Sequence, residues 1–534
     1  MPIEKNVPAE CSDDVPQSGP AAHWLLSGLL LLAIVLLVLP TPHGMTAQAH
    51  RLISVAALMA GLWMTQAIPM AATSLLPLVL FPLLGIATAK DTAKSFMEDS
   101  LFLYMGGMLI ALGIERWHLH RRIALGIVSL VGVSPRRMVL GFSLATFFLS
   151  MWISNTATTM MMLPIGLAML KVVEEEDAES GRIRSQQLAV PLLLALAYAS
   201  TLGGMATLVG SPTNSVAIGI YRRQMPEAPD IFFSEWLLAC GPLALFYLGI
   251  VVLSLIWKLP GSGPQDELLR KVLGQRLRAL GPMSVAERRM SWIFLATACL
   301  WILREPLVIG QTTIFAGWQA WFARLIGWVC VDPELPGKLA ARGAISDATV
   351  AIGMSVLMFL MPSGQENRPE RSIPLMDWNT AVRLPWDMIL LFGGGFALAS
   401  AFESTKLAEW IAQSLQEPLS DQPPWIVVAV ICLILVMLTE LTSNVATVNA
   451  ILPALLALAA PLQLDPRMLL VPATLASSAG FMLPVGTPPN AIVFSTGRIP
   501  ATEMARRGLL LNLVGIPILT IGTWLLIRPI LGIP

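Results

Sequence analysis

Two polar clusters sit at matching places inside apolar stretches of this chain, and they constrain its fold more than any other feature. The first is Ser154-Asn155-Thr156-Ala157-Thr158-Thr159, set between Phe147-Phe148-Leu149 and Met160-Met161-Met162-Leu163-Pro164. The second, Ser443-Asn444-Val445-Ala446-Thr447, begins 289 residues later and leads into Ile451-Leu452-Pro453. Inside a bilayer an unpartnered polar group costs roughly several kcal/mol unless it is buried in protein or lines a cavity. One such cluster is explained by Ser and Thr bonding their own helix carbonyls while Asn bridges two helices. The duplication is not explained that way, and it points to a shared site.

That argument needs a membrane chain, and composition supplies one. Of 534 residues, 55% are hydrophobic and 13% charged, values typical of a polytopic helical membrane protein. A formal net charge of zero carries no bias toward nucleic acid. Cys11, Cys240, Cys299, Cys330 and Cys432 are scattered, without metal or redox spacing. His23, His43, His50, His118 and His120 lie near segment ends, where interfacial solvation accounts for them. Catalysis reads poorly, because neither Ser154 nor Ser443 has a base partner visible in the sequence.

Residues 1–22 read as a disordered cytoplasmic tail. Spans are expected at 24–40, 51–68 and 71–87, then at 100–115 around Gly106-Gly107, with a helix at 123–132. Residues 138–170 give about 33 apolar residues around the first cluster, more than one span and less than two with a loop. They predict a re-entrant hairpin, followed by a solvated loop at Glu174-Glu175-Glu176-Asp177. Residues 188–220 are apolar but interrupted at Gly210-Ser211-Pro212-Thr213-Asn214. There Pro212 removes a backbone donor and Gly210 eases a turn. A span follows at 236–257, and the basic stretch 258–289 is expected to be cytoplasmic.

The second half repeats this order. It has spans at 290–303 and 345–361, joined by a connection rich in tryptophan (Trp318, Trp321, Trp328) that suits a membrane interface. Then come Gly393-Gly394-Gly395, a second hairpin over 425–460, and a second broken helix over 467–497 at Gly486-Thr487-Pro488-Pro489-Asn490. The last span is 508–530. Matching landmarks are separated by 288, 289 and 276 residues. About five crossing units per half, an odd number, reverse the topology of the second half. The fold class is therefore an all-α polytopic membrane protein of about eleven spans: inverted five-span repeats behind a leading helix, two re-entrant hairpins and two broken helices.

Away from their ends, the four interrupted segments carry one ionisable side chain, Glu440, and no Lys or Arg stands near either cluster. Their equipment is hydroxyls, amides and freed backbone groups. Helix N-termini suit an anion, and unwound carbonyls suit a hard cation such as Na⁺.

The two Ser-Asn clusters resemble those of the divalent anion:sodium symporter family. So do the two Gly-Ser/Thr-Pro motifs and the run Ser477-Ser478-Ala479-Gly480-Phe481-Met482-Leu483-Pro484-Val485-Gly486-Thr487-Pro488-Pro489-Asn490-Ala491-Ile492-Val493. The likeness covers the chain from about residue 50 to the end. It implies an elevator mechanism in a homodimer, embedded in the inner or plasma membrane, with a di- or tricarboxylate such as succinate, or sulfate, as substrate. On that resemblance 23–137 and 290–424 are scaffold, 138–257 and 425–534 are transport parts, and 258–289 links the halves. One sodium site is implied at Ser150, Ser154, Asn155 and Gly210, and a second at Thr439, Thr442, Asn444 and Gly486. The anion is implied to contact Ser154, Asn155, Thr156, Ser211, Ser443, Asn444, Thr487 and Pro488.

Three positions depart from the family pattern. Val445 stands where the first motif has Thr156, leaving Thr447 as a substitute hydroxyl. Gln66 stands where an acid is expected. Glu440 is either an extra cation ligand or a residue facing a neighbouring helix, and the second is favoured because adjacent helix positions point apart. The alternatives to sodium-coupled symport are a dicarboxylate exchanger, a sulfate symporter, and a membrane sensor or structural protein.

Overall fold

The computed structural model of the chain describes residues 20–180, 184–261, 265–309, 312–329, 334–341, 343–368, 371–419 and 422–534. The tail read over 1–22 lies almost wholly outside them. The leading helix α1 (Pro20–Val38) pairs with α2 (Ala47–Thr65). Gln66 ends α2 in the left-handed region, at φ 51°. The expected third span is a broken pair, α3 (Met70–Ser74) and α4 (Leu76–Leu83). Then α5 (Ala89–Ser95) meets α6 (Asp99–Arg116) at a 43° bend, and α7 (Leu119–Val131) follows.

The first cluster begins at the last residue of a four-residue break, 151–154, between α8 (Pro135–Ser150) and α9 (Asn155–Ser180), and continues through the first turn of α9. The first broken helix comprises α10 (Arg184–Met205), a break at 206–211 and α11 (Pro212–Gln224). Next are α12 (Phe233–Ile256) and, within the basic stretch 258–289, α13 (Gln265–Ala279).

The second half opens with α14 (Val285–Ile302), β1 (Leu307–Ile309), β2 (Thr312–Phe315), α15 (Trp318–Val329) and α16 (Leu335–Ala340). It continues with α17 (Asp347–Leu360), β3 (Pro362–Arg368), β4 (Arg371–Pro374), α18 (Trp378–Ala381), α19 (Trp386–Ser404) and α20 (Leu407–Leu419). The second cluster begins at Ser443, the last residue of the break 440–443 between α21 (Pro424–Thr439) and α22 (Asn444–Ala457), and continues into α22. The second broken helix is α23 (Arg467–Ser478), a break at 479–487 and α24 (Pro488–Phe494). Finally α25 (Ala501–Gly522) passes through a π-helical turn, Thr523–Ile527, into α26 (Arg528–Ile530).

The structure is helical as expected, with two short antiparallel ribbons, β1 with β2 and β3 with β4, beside the helices. One expectation is corrected: Glu174–Asp177 is not a loop, since α9 runs through it to Ser180. Glutamate is a good helix former, Glu175 pairs with Lys171 one turn back, and Glu174 is held by Arg498.

Five described helices are long and apolar enough to cross a membrane, six if α5 and α6 count as one. Five further apolar helices have 10–17 residues. Helix α10 is buried almost throughout, whereas α12 and α25 leave half of their length to the surroundings. Around α10 the halves exchange partners: α11 packs on α22, and α24 packs on α9. The same exchange joins α6 to α17 and α19 to α3. Glycine permits both of these approaches. A Cβ on Gly106 would stand 2.5 Å from the Ala351 Cβ, and one on Gly394 2.6 Å from the Ser74 Cβ.

Candidate functional site

The break after α8 gathers three oxygens. The Ser150 hydroxyl lies 2.8 Å from Asn155 Oδ1 and 2.6 Å from the Ser200 carbonyl on α10. A hydroxyl has one proton, so three oxygens crowd around a single hydrogen. Such an electron-rich corner suits a hard cation. Asn155 reaches it only because residue 204 is glycine, where a Cβ would stand 2.1 Å from Asn155 Oδ1. Gly210 closes the same corner, with its Cβ position 2.9 Å from the Ser150 carbonyl oxygen.

The second break repeats the set. The Thr439 hydroxyl lies 2.7 Å from Asn444 Oδ1 and 2.6 Å from the Ser477 carbonyl on α23. Gly486 stands beside it, its Cβ position 2.8 Å from Glu440 Oε2.

Each broken helix is held open by an asparagine. Asn214 Nδ2 donates to the carbonyls of Gly204 and Thr207, at 2.8 and 2.7 Å. Asn490 Nδ2 donates to those of Gly480 and Leu483, at 3.1 and 3.0 Å. Every residue of the second trio lies 276 positions after its counterpart. These two amides take up carbonyls that the helices no longer satisfy. The resumed helices α11, α22 and α24 start at Ser211, Ser443 and Thr487, and none of the three uses its side chain as a cap. Their hydroxyls are thus available to an anion, together with the first N–H groups of α22, whereas α11 and α24 begin with proline and offer no N–H at that position. Ser154 caps α9 only at 3.3 Å, to the Ala157 N–H.

Among the expected contacts, Ser154, Asn155, Thr156, Ser443 and Asn444 are half-buried, Ser211 and Thr487 are buried, and Pro488 is exposed. The Thr442 hydroxyl is already engaged, with Leu438 O at 3.0 Å and Thr447 Oγ1 at 2.6 Å. Thr447, offered as the substitute for Thr156, lies in that pairing and also donates to Ser443 O. Val445 is buried.

Glu440 is 1% exposed. Its carboxylate accepts the Met482 and Leu483 N–H groups at 2.7 and 2.8 Å and Asn512 Nδ2, from α25, at 2.5 Å. It therefore reaches a neighbouring helix, as favoured, but also anchors the second break. Sequence reasoning missed Asn512, Thr207 and the Ser200 and Ser477 carbonyls. It quoted Asn214 and Asn490 without giving them a role, although their recurrence at the shared spacing was a usable signal.

Duplicated oxygen sets beside broken helices, in a helical membrane chain, define the class of secondary transporters. Residues 20–530 match the family described as the sodium:sulfate symporter transmembrane region, and the chain belongs to that divalent anion:sodium symporter family. It is 36% identical over 520 residues to the sodium-dependent dicarboxylate transporter SdcS of Staphylococcus saprophyticus, covering 95% of this chain and 92% of that one. It is 35% identical over 527 residues to SdcS of Staphylococcus aureus, covering 97% and 93%. Among solved structures, MtrF of Neisseria gonorrhoeae, from a class of antimetabolite efflux pumps, superposes with a TM-score of 0.52. The identity there is 11%, over 96% of this chain and 95% of that one, a likeness of fold alone.

Proposed function

We infer that this chain is a sodium-coupled symporter of a C4-dicarboxylate such as succinate, working by an elevator-type alternating-access mechanism. One observation carries the reading: the same hydroxyl–amide–carbonyl set is built twice, at Ser150, Asn155 and Ser200 and at Thr439, Asn444 and Ser477. Na⁺ fits neutral oxygen donors. In the first site Ser150, Ser154, Asn155 and Gly210 would hold it. In the second the holders would be Thr439, Asn444, Gly486 and Thr442, the last through its carbonyl because its hydroxyl is engaged.

Each amide would face two ways, Oδ1 to the cation and Nδ2 to the anion. Ser154, Thr156, Ser211, Ser443, Thr487 and Pro488 would complete the anion's surroundings. The names of the relatives support a dicarboxylate and sodium dependence. The exchanged packing of α11 on α22 and α24 on α9 supports inverted repeats with hairpins over 138–170 and 425–460. The family resemblance supports a homodimer in the inner or plasma membrane with a cytoplasmic N-terminus.

Charge explains the coupling. A dianion finds no Lys or Arg beside the clusters, and a helix N-terminus offers only about half a charge. Sodium supplies the rest, so ion and substrate must raise each other's affinity by the same factor. Uptake of labelled succinate and sulfate into proteoliposomes tests this. The expected result is succinate uptake under a sodium gradient and almost none in choline. Undiminished uptake in choline, driven by an internal counter-anion, would establish exchange and overturn the reading. Sulfate uptake without succinate uptake would overturn the substrate.

A further inference from the structure

Tyr198 is fully buried on α10, two residues before Ser200, whose carbonyl belongs to the first oxygen set. Its hydroxyl leaves that half of the chain. It donates to the Phe481 carbonyl, 3.0 Å away in the second break, and the two rings meet edge to face with centroids 5.1 Å apart. Phe481 is held from its other side by Asn512, whose Oδ1 accepts its N–H at 3.3 Å. The next two N–H groups belong to Glu440, the neighbour of Thr439 in the second oxygen set. A continuous path therefore runs from Ser150 through Ser200, Tyr198, Phe481 and Glu440 to Thr439.

The reverse contact is built differently. The matching carbonyl at the end of α10, Met205 O, accepts Trp236 Nε1 at 3.1 Å, a donor from its own half. Thr474, at the place of Tyr198, donates to Leu470 O within its own helix.

We propose that Tyr198 is a positioning residue that couples the two sodium sites. An ion in the first set orders α10 at Ser200, and Tyr198 transmits that order to the second break, completing the second set. The proposal rests on the two-site sodium reading above. A coupling of this kind appears as cooperativity between the ions. Removing the hydroxyl leaves a buried carbonyl without this donor, which weakens the second site selectively.

The test is labelled succinate uptake by the full-length protein in proteoliposomes as external sodium is varied. The wild type is expected to respond sigmoidally, with a Hill coefficient of about 2 for two linked ions. Tyr198→Phe keeps the ring. It is expected to bring the coefficient toward about 1 and to raise half-saturating sodium about fivefold to tenfold, with succinate KM at saturating sodium unchanged. Tyr247→Phe is the control, because its hydroxyl donates at 2.7 Å to Leu511 O in the regular part of α25; it should behave as wild type.

Ser150→Ala removes the first set and should lower the coefficient by itself, so that adding Tyr198→Phe lowers it no further. Additive effects of the two substitutions would overturn the coupling. So would a wild-type coefficient in Tyr198→Phe, which would leave the sodium reading standing. A hyperbolic sodium curve in the wild type would remove the two-site reading and this proposal together.

Discussion

In the first half six residues separate Met205, where the helix is interrupted, from Pro212, where it resumes, whereas in the second nine residues separate Ser478 from Pro488. The shorter break is closed by neutral groups. Thr207 places its hydroxyl on the Met151 carbonyl and accepts the Gly210 N–H. The longer break leaves the N–H groups of residues 481–483 without helical partners, and a carboxylate and an amide, Glu440 and Asn512, receive them. Met151 and Glu440 occupy the same place, each directly after the hydroxyl of its oxygen set. Two sites with one donor pattern are therefore supported by different networks. Hydrogen bonds to a charged group contribute more, about 1.5–3 kcal/mol each, but a buried charge network also fails harder when one member is lost.

Glycine should separate the two sites most sharply. Gly204→Ala places a Cβ 2.1 Å from Asn155 Oδ1, while at Gly480 the nearest atom is the Thr487 methyl at 3.3 Å. We expect Gly204→Ala to abolish sodium-dependent succinate uptake and Gly480→Ala to slow it by no more than about threefold. Equal losses in an uptake assay would mean that the second amide is held as tightly as the first.

The charged anchor comes next. Glu440→Gln keeps the shape but replaces one oxygen by an NH2, leaving three N–H donors to one remaining acceptor. It should cost about 2–4 kcal/mol of stability, whereas Met151→Leu should cost under about 1.5 kcal/mol. Thermal unfolding in detergent, with and without sodium, measures both. Similar shifts for the two would remove the contrast between a neutral and a charged closure.

The smallest expected effect concerns Thr442 and its counterpart Ile153. Thr442 pairs with Thr447, while the Thr158 hydroxyl, at the equivalent place in the first half, is buried without a partner. Thr442→Ile should cost about 1 kcal/mol. Ile153→Thr should be close to neutral, the new bond to Thr158 offsetting the lost apolar burial. A large loss in Ile153→Thr under the same unfolding assay would show that the two tips do not share a geometry.

Much of the site is legible because its rules are local. Pro212 and Pro488 start their helices at positions where a missing N–H is harmless, so a reader of the sequence can place both breaks. The Ser-Asn clusters announce themselves because hydrocarbon tolerates few unexplained polar groups. Charge misled at Glu174–Asp177, where local polarity reads as loop. The helix persists through an i,i+4 pair with Lys171 and a contact to Arg498, 324 residues away. Backbone carbonyls leave no mark in a sequence, since every residue has one, and so the bonds to Ser200 and Ser477 stayed invisible.

By itself the amino-acid order determined where this chain is apolar, where its helices must stop, and which hydroxyls and amides stand at those stops. These follow from solvation and backbone sterics within a few residues. Only the tertiary structure decided that Glu440 turns to the backbone of 482–483, that Thr447 is occupied by Thr442, and that Tyr198 reaches Phe481 across 283 residues. Tyr198 meets its partner because the halves exchange helices, Glu440 meets its own in the neighbouring break of the same half, and Thr442 and Thr447 meet across one tip; such side-chain partners leave no periodicity along the chain from which to read them.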